Sequence, residues 1–214
     1  VLGADDGIVS VASIAIGVIA TGATRNAVFA AALAALTAGA MSMAAGEYVS
    51  VSSQRDTDVG DLAQERDELA HDPAGETREL AAIYRQRGLP AELANRVAAA
   101  FMTTDALAAH ARDELGLSET TRPRPMQAAL SSAASFIVGG TLPLMALVVA
   151  PTATATATEA VIGSAITALV ILGMAGAKVG GAPIGRAALR VGVGGTLAIV
   201  VTAGVGHLFG AVTG

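Results

Sequence analysis

Cysteine and tryptophan are absent from this 214-residue sequence, aromatic side chains make up only 3% of it, and charged ones only 14%. Without cysteine there are no disulfides, iron–sulfur clusters or thiolate metal sites. Ordinary soluble domains carry roughly 25% charged residues, so the shortage of charge sets this chain apart from them. A formal net charge of −5 and the lack of a long basic run argue against a nucleic-acid partner. Nor is there a nucleophile–base pair, a phosphate-binding loop or a histidine-rich metal motif, so nothing in the sequence points to an enzyme.

What is present is apolar: 53% of residues are hydrophobic and the mean hydropathy is +0.60. The charge that exists is concentrated. Of the 13 basic and 18 acidic residues, all but eight lie between Arg55 and Arg124. The eight are Asp5, Asp6, Arg25, Glu47, Glu159, Lys178, Arg186 and Arg190. Two apolar blocks therefore flank one charged insert, the pattern of an all-α integral membrane protein with a single water-facing module. This divides the chain into residues 1–53 (transmembrane helices 1 and 2), 54–124 (the acidic insert) and 125–214 (transmembrane helices 3 to 5).

A bilayer core needs about 20 apolar residues per helix. The five candidates run from about Gly7 to Ala23, Asn26 to Ser50, Met126 to Ala150, Glu159 to Ala177 and Ile184 to Val212. Gly22 to Asn26 reads as a tight turn that makes a hairpin of the first two. The Thr/Ala run from Pro151 to Thr158 reads as a polar loop, and Gly180 to Pro183 as a break between the last two spans. Val1 to Asp6 reads as the interior of a helix entrance, which implies a missing upstream segment. Small residues four apart, which let helices approach closely in lipid, occur at Ser13/Gly17, Gly176/Gly180, Gly181/Gly185 and Gly206/Gly210. The basic residues near span ends (Arg55, Arg122, Arg124, Lys178, Arg186, Arg190) lie on one side and only Arg25 on the other, so the insert is expected to be cytoplasmic. The Ala/Arg-rich, lysine-poor composition suggests a prokaryotic inner membrane.

Within the insert the spacing predicts three helices. The first continues span two from Arg55 to Leu69. The second starts at Asp72-Pro73, an N-cap carboxylate followed by a proline in the first turn, and ends at Gly88. Pro90 opens a third that stops at Gly116. About 60 residues make a marginal core alone, so packing against a second copy is expected. Asp61, Glu65, Glu68 and Asp72 recur at steps of four, three and four, one stripe of a helix. Glu76 and Glu79 repeat the three-residue step, as do Met102 and Asp105 on the third helix. Like charges so spaced destabilise a helix by a few tenths of a kcal/mol per pair, and no lysine dilutes them. Carboxylates converging from three helices suit a divalent cation, and a thioether biases the site toward a transition metal. Spacing alone is equally compatible with a solvated acidic face neutralised by Arg66, Arg78, Arg85, Arg87 and Arg96.

Charges inside spans are rare and usually functional. Asp6 stands at the mouth of the first span, and Met43 and Glu47 share one face late in the second. Antiparallel neighbours joined by a short turn bring Asp6 to the depth of Met43. Together they form a weak, exchangeable site for a soft-to-borderline divalent ion. Glu47 is also readable as an interfacial carboxylate and Met41 as core packing. His71, His110 and His207 have no evident partner ligand and are read as non-ligands.

Three stretches together resemble the vacuolar iron transporter family. They are Asp6-Gly7-Ile8-Val9-Ser10, the run from Ala38 to Val51 (AGAMSMAAGEYVSV), and an insert carrying Ala81-Ala82-Ile83-Tyr84 and Asp105 to His110 (DALAAH). The resemblance covers essentially the whole chain. It implies an Fe²⁺/Mn²⁺–proton antiporter that removes metal from the cytosol. It further implies a homodimer of five-span subunits with the pathway between them and a three-helix cytoplasmic metal-binding insert. Glu65, Glu68, Glu76 and Glu79 match that insert's glutamate spacing, and Met102 with Asp105 its final Met–carboxylate pair, Asp standing for the usual Glu. Asp6 and Met43 match the pathway carboxylate and thioether. Some plant members place a Glu two turns before that Met, where this chain has Ala35, which makes Glu47 the substitute. The implied partners are membrane lipid, divalent metal, protons and a second copy, and no cofactor is expected. A membrane-anchored metal buffer or sensor without transport is the alternative, and a dimerisation scaffold carrying a protein-docking bundle a further one.

Overall fold

The structure, a computed structural model, describes residues 2–118, 121–150 and 154–213. These form seven helices, with no strand among the described residues: α1 (Leu2–Ala20), α2 (Arg25–His71), α3 (Pro73–Gln86), α4 (Ala91–Asp113), α5 (Pro125–Val149), α6 (Thr154–Gly180) and α7 (Ile184–Thr213). Five of them, α1, α2, α5, α6 and α7, are long and apolar enough to cross a membrane. Their contacts divide the chain into two units, residues 1–48 with 126–214, and residues 49–125.

Asp5 and Asp6 lie inside α1, in its first two turns, in keeping with the reading of Val1 to Asp6 as a helix entrance. Thr154 to Thr158, expected in a polar loop, belong to α6; Pro151 to Ala153 lie outside the described residues. Alanine is the strongest helix former, and threonine is tolerated in helices because its hydroxyl can bond the preceding turn's carbonyls.

In the first unit α1 is the most enclosed span. Ile8, Val11, Ala12, Ala15, Ile16 and Ile19 are all buried, and α1 packs against α6 and α7. With little hydrophobic drive between helices in lipid, close approach through small residues does the holding. A methyl group on Gly7 would overlap the Phe136 carbonyl of α5, one on Gly139 the Ala4 carbonyl of α1, and one on Gly206 the backbone of Gly17. Thus Gly17 and Gly206, each from a different small-residue pair, meet each other. A Cβ on Gly180 or Gly185 would meet nothing within 4 Å, so at those two positions the spacing marks no contact. Leu130, Val138, Val149, Leu189 and Leu197 stand exposed, as lipid-facing side chains must.

Arg25, the lone cation expected opposite the insert, has a defined job. Its Nη2 donates to the carbonyls of Leu147, Val148 and Ala150 at 3.0, 2.8 and 3.2 Å. These carbonyls end α5 without intrahelical donors, and a cation there also complements the helix dipole. The α1–α2 turn and the α5 C-terminus therefore share one end of the unit.

The second unit contains the last part of α2, then α3 and α4. Helix α2 runs unbroken for 47 residues. Asp72 caps α3, its Oδ1 accepting from the Gly75 amide at 2.8 Å, with Pro73 in the first turn. Gly88 and Gly116 take the left-handed conformation, φ +97° and +69°, that terminates α3 and follows α4. The core between α3 and α4 is Leu80, Ala81, Tyr84, Ala94, Ala98 and Ala109. Asp113 fastens the two helices at their ends. It accepts from the Tyr84 hydroxyl at 2.7 Å and from Arg87 Nη1 at 2.6 Å, while Arg87 Nη2 donates to the Asp113 carbonyl at 2.6 Å.

Candidate metal centre

One cluster in the second unit brings together side chains from all three of its helices. Glu65 of α2, Glu76 of α3 and His110 of α4 are buried, and each offers a ligand atom within 4.8 Å of the others. His110 Nδ1 lies 3.0 Å from Glu65 Oε1, 3.9 Å from Glu76 Oε2 and 2.8 Å from Glu114 Oε2. His110 is wholly enclosed and Glu65 is 3% exposed. His110 Nε2 is buried without a hydrogen-bond partner, and Glu65 Oε1, although close to His110 Nδ1, makes no well-aligned hydrogen bond. Burial raises the Glu65 carboxyl above its ordinary value; the imidazole opposes this, and Glu114, Glu76 and Glu68 add to it. Glu76 is raised as well, by burial first and by Glu79 next.

Ligands about 2.1 Å from a common ion stand about 3.0 Å apart at right angles and about 4.2 Å apart across it. The 3.0 and 3.9 Å separations from Nδ1 fall in that range. The donor set is one imidazole with two or three carboxylates, which suits a borderline first-row divalent ion.

The other residues singled out in the insert are placed differently. Glu68 and Glu79 are exposed, and Glu68 accepts from Gln64 at 3.0 Å. Asp61 is exposed too, and Asp72 is occupied as the α3 cap. Of the four-residue acidic stripe, only Glu65 points inward. Met102 packs partly buried against the α3–α4 core. Asp105 is exposed at an extended break within α4 (φ −155°, ψ 85°), where its carboxylate accepts from the Ala108 amide at 3.0 Å and restarts the helix. The Met102–Asp105 pair thus packs and caps, while His110 and Glu114, one turn apart, face the cluster. The sequence reading of His110 as lacking a nearby partner ligand did not use Glu114, its i, i+4 neighbour, which lies 2.8 Å from Nδ1.

In the first unit, a Cβ on Gly3 would lie 3.6 Å from the Met43 methyl carbon, so the first turn of α1 and Met43 of α2 share one depth. Asp6 and Glu47 are exposed on the single chain, and Met41, expected in the core, is 67% exposed. Asp5 Oδ1 is buried with no hydrogen-bond partner, a residue to which the sequence assigned no role.

Residues 1–207 match the family model described as VIT family. The chain is 45% identical over 208 residues to a vacuolar iron transporter of Acanthamoeba castellanii, covering 97% of this chain and 76% of that protein. It is 39% identical to vacuolar iron transporter homolog 1 of Oryza sativa subsp. japonica, covering 98% and 72%. With homolog 1 of Arabidopsis thaliana it shares 33% identity, covering 98% and 81%. A match of this extent, over the apolar spans and the charged insert alike, makes the chain a member of the VIT family.

Proposed function

We propose that this protein carries Fe²⁺ or Mn²⁺ out of the cytosol in exchange for protons, as a homodimer, with residues 54–124 forming a cytoplasmic three-helix collecting site. The carrying observation is the buried Glu65–Glu76–His110 cluster, in which three carboxylates, counting Glu114, crowd one imidazole nitrogen. One imidazole cannot neutralise that many buried or half-buried carboxylates, and a divalent cation can. The names of the relatives support iron as cargo. Glu114 completes the ligand set in this reading, and Glu68 and Glu79 raise the local negative potential that draws the ion in. Met102 and Asp105 hold α4 in the shape that presents His110.

From the collecting site the ion passes to Asp6, Met43 and Glu47. In this reading each ion that moves outward along these residues is exchanged for protons that move inward. Exposure of Asp6, Met41 and Glu47 on the single chain supports the dimer. Charged side chains are not left against lipid, and a second copy supplies the missing wall.

A membrane-anchored buffer would use the collecting site alone and would not need Asp6 or Glu47 within a span. Uptake of Fe²⁺ into proteoliposomes separates the two. Asp6→Ala is expected to abolish flux while metal binding to the full chain persists, and undiminished flux in that variant would refute the pathway.

A further inference from the structure

The same unit holds a cavity of about 570 Å³ whose charged lining is mostly basic. Arg55, Asp58, Arg112, Ser118 and Arg122 supply its polar lining, and Val59, Leu62 and Leu117 are the largest of its apolar lining residues. The charge on Arg112 is engaged by Asp113, and its guanidinium lies 5.1 Å over the Phe101 ring. Among the described residues Arg55 and Arg122 make no ion pair or hydrogen bond, although Asp58 is close in sequence and shares the cavity. Two free guanidinium forks beside apolar lining residues match a phosphate group carrying an apolar body.

The chain itself says which phosphate. Arg55 stands four residues beyond Val51, where the apolar stretch of α2 gives out, or about 6 Å along the helix. Arg122 lies three residues before Pro125, the first residue of α5. The polar headgroup layer adds roughly 7 Å on each side of the hydrocarbon core. Both arginines are thus tethered within the reach of that layer, on the side richest in basic residues.

We infer that the cavity lined by Arg55 and Arg122 binds the headgroup phosphate of an anionic phospholipid, with the start of its apolar body on Val59, Leu62 and Leu117. Basic residues at a membrane surface strengthen binding of anionic lipid by about fivefold each. The test uses the full chain in detergent, with phosphatidylglycerol and phosphatidylcholine titrated separately and retention read by native mass spectrometry. Phosphatidylglycerol is expected to bind at least tenfold tighter than phosphatidylcholine. Arg55→Gln with Arg122→Gln should weaken it by about 25-fold, whereas Asp58→Asn, which removes the opposing carboxylate, should tighten it. The Asp58 variant keeps the test open should the double variant fold poorly. Equal retention of the two lipids, or no response to either variant, would overturn the inference. Displacement of the lipid by millimolar inorganic phosphate would also overturn it, by assigning the cavity to a free anion.

Discussion

Glu65 is a carboxylate placed where ionisation is costly. Its pKa is raised above the ordinary 4.5, as is that of Glu76, so in the metal-free protein both contribute a penalty once ionised. The penalty is absent at low pH and grows as pH rises through the raised values. Metal-free protein is therefore expected to lose thermal stability on going from pH 5 to pH 8, and saturating Mn²⁺ to restore it. Glu65→Gln should raise the melting temperature of metal-free protein by a few degrees, while weakening metal binding by roughly 100-fold. A fall in both quantities would show that Glu65 is structural. Affinity should drop as pH falls toward the same raised values, because ligands must be deprotonated to bind. At this scale the sequence was only half legible. Helical spacing found Glu65 and Glu76 but could not tell them from Glu68 and Glu79, since inward and outward positions of a stripe differ only by what packs against them. His110 was hidden because two of its three carboxylates come from other helices.

Among the elements, α4 carries the most information. Its last turn holds His110, Glu114 follows as its C-cap, and Asp113 between them ties that turn to Tyr84 and Arg87 of the α3 end. The Arg112 side chain bonds the same carboxylate and, with the other donors, holds it well below the usual carboxylate range, so the tie persists into mild acid and weakens only under strong acid. Asp113→Ala should cost about 2–3 kcal/mol of stability, read by denaturant unfolding of this unit's signal, and should weaken metal binding several-fold through a loosened turn. In the membrane unit Gly7→Val should be more damaging than Gly185→Val, because the first meets the Phe136 carbonyl and the second meets nothing; yield of folded protein in detergent checks this. Most helix ends were readable from Asp72-Pro73, Gly88, Gly116 and Gly22. The α6 start was not, since an alternating Thr/Ala run carries no local sign of whether it coils or winds.

For the whole molecule, composition alone implied five apolar spans and one charged insert, because hydropathy and charge clustering depend on no tertiary detail. Composition does not say what covers Asp6 of α1 or Met41 and Glu47 of α2, which stand exposed on one chain; a second copy is the proposed cover. Light scattering of the protein in detergent should give twice the chain mass of 21.0 kDa after subtraction of bound detergent, and a single-chain mass would remove the proposed wall of the pathway. The central claim is exchange of metal for protons, and it is tested most directly by following both ions at once. Proteoliposomes loaded with a pH dye and a metal indicator, acidic inside, should take up Fe²⁺ while the interior becomes more alkaline, with both signals lost in Asp6→Ala and with Glu65→Gln shifting only the concentration needed. Metal entry that leaves the internal pH unmoved, or that survives loss of Asp6, would contradict the account.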